Sequence, residues 1–264
     1  MGRTRGTWST KGTWFAGAAL AAVLALTGYA VLNGGDDDAD ASKSGSTPSA
    51  SVSASPGPSA SYEQPDDWTE PTRWVALPRG KRTNEHGSQV GFPHTTEGAV
   101  ATAAAVNTVS METDRDTGDE QLRIYYSYVS KADQSEEHAA QIELESIQAD
   151  KQLHKELSVP VGEPLPPGAY MRSSVIGYKV IRESDDEVSV WLLSRVARKA
   201  GETAKESVGY TRTLNAVVWE NGDWKLSGKA TQRALDAQPA KPKIVAPGDA
   251  AFNSAGWTAI REAS

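Results

Sequence analysis

The chain has 264 residues, 38% of them hydrophobic and 23% charged, a globular composition with room for one or two domains. Cysteine is absent, which excludes disulfides, thiolate metal sites, cysteine nucleophiles and lipid-modified cysteine. The net charge of −7 leaves 27 acidic against 23 basic side chains from Trp68 onward. That balance argues against a direct nucleic-acid partner, because neutralising phosphates takes a clustered basic face.

Residues 1–13 carry Arg3, Arg5 and Lys11 and read as a short cytoplasmic terminus. From Trp14 to Leu32 the stretch "WFAGAALAAVLALTGYAVL" holds nineteen residues without a charge. That is close to the ~20 residues a helix needs to span the hydrocarbon core, so a single membrane span is expected. Asp36, Asp37 and Asp38 follow it, and the positive-inside rule then puts the bulk of the chain outside the cytoplasm. The competing reading is a cleaved signal peptide, which has a shorter apolar region and a small-x-small cleavage site that is poorly represented here. Gly17 and Ala21 form a small-xxx-small pair, which an alanine-rich span contains by chance. Residues 33–67 are dominated by Ser, Ala, Pro, Gly and Asp and bury too little apolar surface to order, so a disordered linker is expected.

An α+β domain is expected over residues 68–230. "WTEPTRWVALPRG", Trp68 to Gly80, reads as an extended arm docked by Trp68 and Trp74, since its prolines forbid a long helix. The stretch "VGFPHTTEGAVATAAAV" is a helix start: Pro93 stops what precedes, Thr95 or Thr96 caps, Glu97 suits the helix dipole, and the alanines propagate. Leu122, Tyr125, Tyr126 and Val129 give one-face helical spacing over Glu120 to Ser130, and Ser135 to Leu157 opens on a serine cap and closes before Pro160 and Gly162. Beyond "PVGEPLPPG" the period changes to that of strands: "AYMRSSVIGYKVIRE", "EVSVWLLSRVARK", "VGYTRTLNAVVWE" and "DWKLSG". Ser184-Asp185-Asp186 makes the first turn, and Asn221-Gly222 accepts the positive φ of a primed hairpin turn. Helices first and strands second predict helices packed on a curved, cone-like, four-stranded antiparallel sheet. Residues 231–264 read as a tail in which "AFNSAGWTAI" docks back.

Catalytic and metal signals are not found. His138 and His154 share one predicted helix, but sixteen residues at about 100° each place them roughly 160° apart, so both read as solvated. Gly228-Lys229-Ala230 and Gly80-Lys81-Arg82 lack the hydroxyl of a phosphate loop, and there is no GxSxG elbow. Asp185 and Asp186 read as solvated turn residues. His94 is the one candidate general base, with no nucleophile or carboxylate specified around it. Neither a catalytic group, a metal ligand nor a cofactor is expected. Tyr125, Tyr126, Tyr178, Trp191, Trp219 and Trp224 are the candidate pocket or interface residues.

The element order, with "AVVWENGDWKLSG" running aromatic, turn, aromatic, resembles the nuclear transport factor two-like (cystatin-like) superfamily. With one span and a spacer, the layout looks like the bitopic assembly factors of type IV secretion and conjugation machines. "GFPHTTEGAVATAAAV" is similar to a stretch in membrane proteins of actinobacterial mobile elements. The resemblance covers Trp68 to Trp257 and transfers no site residue. It implies a non-catalytic scaffold that oligomerises and contacts other envelope or transfer-channel proteins outside the membrane. A module that binds a small or cell-wall-derived ligand is the alternative, since one fold hosts many functions. An extracytoplasmic hydrolase would need His94 beside a carboxylate in a cleft.

Overall fold

The structure is a computed structural model that describes residues 67–112 and 117–261. Four long or hairpin-linked strands form its centre: β5 (Ala169–Glu183), β6 (Glu187–Ala200), β7 (Ser207–Glu220) and β8 (Asp223–Leu226). Each pairs antiparallel with the next. Asn221 at φ 53 and Gly222 at φ 81 make the β7–β8 turn, the positive-φ pair that a two-residue hairpin with the right twist requires.

The sheet is larger than four strands and it is mixed. β1 (Trp74–Ala76) pairs parallel with β9 (Thr258–Arg261), β9 pairs antiparallel with β5, and β4 (Val109–Met111) pairs with another part of β5. The order is β1-β9-β5-β6-β7-β8, seven strands with β4 on the side of β5. This corrects the expected four-stranded antiparallel, cone-like sheet. The added strands are three or four residues long, β1 and β9 from the two ends of the domain and β4 from the stretch after Asn107, so no local pattern announces them. The expected membrane span at 14–32 and, except for Asp67, the expected linker at 33–67 lie outside the described residues. Among the described residues no helix is long and apolar enough to cross a membrane.

Strand alternation supplies two cores on opposite faces. Val188, Val190, Leu192 and Val196 of β6 join the larger core, covered by α1 (Thr96–Asn107), α2 (Thr117–Tyr128) and α3 (Glu136–Leu157). Trp191 and Leu193 face the other way, into a smaller core with Leu214, Phe252, Trp257 and Ala259. That second face is covered by α4 (Gly228–Asp236) and α5 (Ala250–Ser254), so the C-terminal residues form a layer and a strand of the fold. Register shifts in β5 between Val175 and Gly177 and between Val180 and Arg182 insert Ile176 and Ile181 as bulges. Both pack on the second core, which bends the strand around it.

Candidate functional site

Two places gather chemistry-bearing side chains. The first grows from the Pro93-His94-Thr95 corner at the start of α1. Thr95 caps the helix, its hydroxyl accepting from the Gly98 amide at 3.1 Å. The chain folds back so tightly that a Cβ on Gly98 would sit 1.9 Å from the Pro93 carbonyl oxygen. The β7–β8 hairpin receives this corner. The Trp224 indole donates to the Pro93 carbonyl at 2.9 Å, and the Phe92 amide donates to the Asp223 carboxylate at 3.1 Å. His94 lies flat on Trp219, with ring centroids 3.9 Å apart and 8° between planes, and meets Trp224 edge-on at 5.4 Å.

His94 Nε2 lies 2.7 Å from the Asp185 carbonyl and 3.1 Å from an Asp186 carboxylate oxygen. A carbonyl only accepts, so Nε2 carries the proton and donates. The imidazole thereby ties α1 to the β5–β6 turn. Thr96 adds a second tie through its hydroxyl to Glu183 at 3.0 Å. Asp223, buried, is occupied by two backbone amides and by Lys225 Nζ at 3.1 Å. The corner is a clamp in which every reactive group has a structural partner.

The second place is a cleft of about 440 Å³ lined by His86, Asp119, Glu120, Leu122, Arg123 and Tyr126. The α2 residues among them lie on one face of that helix. His86 arrives from the turn between β2 (Arg82–Thr83) and β3 (Gln89–Val90), shaped by Asn84, whose side-chain oxygen accepts from the His86 and Ser88 amides. Tyr126, 42% exposed, stacks on His86 at 5.6 Å. Behind this platform Arg123 grips Glu120 with two bonds of 2.7 and 2.6 Å, and its third nitrogen donates to Ser88. Glu120 is 3% exposed, and the guanidinium offsets the cost of burying its charge. The bond to Glu120, chiefly, holds the Arg123 pKa above its ordinary value despite burial. The cleft therefore offers an open aromatic face beside a rigid floor of paired charge, an arrangement suited to stacking a ring and anchoring its hydroxyls.

The other aromatic candidates are dispersed. Tyr125 is buried, and its hydroxyl bridges to the backbone of Ser135, fixing α2 against the cap of α3. Tyr178 is in the larger core, where burial raises its pKa. Trp191 sits on the opposite face under the Arg212 guanidinium, 5.4 Å from the ring centre. Trp219 and Trp224 belong to the clamp. Only Tyr126 borders the cleft, and His86, its partner there, was not singled out from sequence. The Asn84-to-Gly87 turn was the available signal for it.

The two helical histidines also have structural partners. His138 Nδ1 faces the Asp133 carbonyl at 2.9 Å. His154 is 4% exposed, which corrects the reading of a solvated side chain. Its Nδ1 and Nε2 face the carbonyls of Asp150 and Glu163, each at 2.8 Å, so both nitrogens donate and the ring is an imidazolium. Burial is the largest influence on its pKa and opposes the charge; the two carbonyls and the Asp150 carboxylate together outweigh it and raise the pKa. Among the described residues no group of histidine and carboxylate side chains is placed to hold a metal ion.

A family model described as a domain of unknown function, DUF8175, matches residues 35–242. The chain belongs to that family. The matched span includes the clamp and the cleft and ends before α5 and β9. No curated protein and no solved structure matches the chain.

Proposed function

We propose that the chain is a non-catalytic scaffold or assembly component, attached to the cell membrane and acting outside the cytoplasm. The observation that most supports it is the commitment of His94, the general-base candidate that the sequence offered, to the Asp185 carbonyl and the Trp219 face, a structural role. Asp186 supplies the carboxylate that a hydrolase reading asks for, but it shares the same Nε2 and neither group lines the cleft. The uncharged stretch 14–32, with basic residues before it and Asp36, Asp37 and Asp38 after it, supports attachment with the amino terminus in the cytoplasm. A spacer of about 35 residues reaches roughly 30 Å as a coil, enough to hold the domain off the membrane. Placement in a conjugative DNA-transfer system rests on the resemblance of "GFPHTTEGAVATAAAV" and of the overall layout, and it names other envelope or transfer-channel proteins as partners.

Cross-linking of the tagged full-length chain in its own membranes, followed by mass spectrometry, tests this reading. Recovery of transfer ATPases or channel proteins is the expected result; recovery of the chain alone contradicts it. The cleft favours a second reading, a module for a small or cell-wall-derived ligand stacked on Tyr126. On that reading muropeptides raise the Tm of the wild-type protein and leave the Tyr126→Ala variant unmoved, whereas no shift in either protein removes it.

A further inference from the structure

The outward face of α3 carries an apolar pair that nothing in the fold requires. Leu144 is 62% exposed and Ile147 52%, at the middle of a helix whose inner face is already filled by Ala139, Ile142, Ala149 and Leu153. The exposed residues follow a heptad pattern. Glu137, Leu144 and Lys151 are seven apart and Ala140 and Ile147 are seven apart; that second row ends at the buried His154, and Lys155, one turn after Lys151, extends the exposed side of the stripe. Charge is sorted along it, with Glu137 before the apolar pair and Lys151 and Lys155 after it.

From this we infer that the outward face of α3 binds a second copy of the chain, helix against helix and antiparallel. The sorting of charge selects both occupant and direction. Antiparallel pairing about the Leu144–Ile147 centre sets Leu144 against the partner's Ile147 and Glu137 beside the partner's Lys155. The second half of the interface repeats the first, as a two-fold axis demands. Parallel pairing would oppose Glu137 to Glu137 and lysine to lysine, and like charges placed together are unfavourable. Antiparallel helices also place each amino-terminal dipole end beside a carboxy-terminal one. The inference does not rest on the scaffold reading, because the face is complementary to itself whatever else the domain contacts.

Because the chain has no cysteine, cross-linking is unambiguous. The full-length Glu137→Cys/Lys155→Cys variant, treated in its membranes with a short bis-maleimide, gives a covalent dimer. Neither single variant does. Within one chain the two positions are about 27 Å apart along the helix, beyond the linker, so the product is intermolecular. Adding Leu144→Asp and Ile147→Asp abolishes the dimer while the Tm stays within a few degrees, since both side chains face solvent. The inference is overturned by a double variant that fails to cross-link, by a single variant that cross-links as well as the double, or by a dimer that survives the two aspartates.

Discussion

At the scale of single residues, the histidines that sequence reading weighed as possible chemistry are fasteners. His154 joins the last turn of α3 to the loop that leads into β5, and it does so as an imidazolium. Its folded pKa is raised above the ordinary value of 6.5, so its stabilisation is fully present below the unfolded pKa and is lost as pH rises through the folded one. His154→Gln therefore lowers the unfolding free energy from urea denaturation at pH 5.5 by about 1–3 kcal/mol, the range for charged hydrogen bonds, and much less at pH 9. Equal losses at both pH values would contradict the charged state. Gly98 is the opposite case, a residue needed for what it lacks. Gly98→Ala drives a methyl group into the Pro93 carbonyl and costs about 2–3 kcal/mol in the same assay, although alanine is otherwise the better helix former. In the cleft, Arg123→Met strips the buried Glu120 of its bidentate partner and costs about 3–5 kcal/mol, while Glu120→Gln/Arg123→Met recovers most of that loss. A double variant as unstable as the single one would show that packing, rather than charge, holds the pair.

At the scale of elements, legibility followed local signals. Thr95 and Ser135 cap α1 and α3, and both were visible as hydroxyl residues ahead of an acidic first turn. The Asn221-Gly222 hairpin was visible for the same kind of reason, a backbone requirement that few residues meet. What stayed hidden was parity. Trp191 and Leu192 are neighbours in sequence and lie in different cores, and the bulges at Ile176 and Ile181 reset the alternation of β5. For that reason Tyr178 and Trp191 never meet in a pocket. The link between "GFPH" and "WENGDW" was equally hidden: each stretch stood out separately, but their contact spans 131 residues from Pro93 to Trp224. Trp224→Phe removes the indole donor from that contact while keeping an aromatic ring. It is expected to cost about 1–2 kcal/mol in urea denaturation, with an unchanged stability contradicting the clamp.

At the scale of the whole molecule, the unexpected feature is extension of the sheet by strands from the two ends of the domain. β1 and β9 pair in parallel, Trp74 opposite Ala259, and together with α5 they complete the second core. Long-range pairings of this kind carry no periodic signature, which is why the C-terminal residues read as a tail that docks back rather than as a strand of the sheet. Truncation after Asp236 removes Phe252, Trp257 and β9, and is expected to abolish the cooperative thermal transition; a truncated protein that melts as the full chain does would contradict the integrated fold. The proposed envelope partners depend on the domain lying outside the cytoplasm, and one measurement tests that claim most directly. In a chain without native cysteine, a membrane-impermeant maleimide applied to intact cells is predicted to label Glu85→Cys, a site whose side chain is 87% exposed, and to reach Ser9→Cys only after permeabilisation. Labelling of Ser9→Cys but not Glu85→Cys in intact cells would contradict the account.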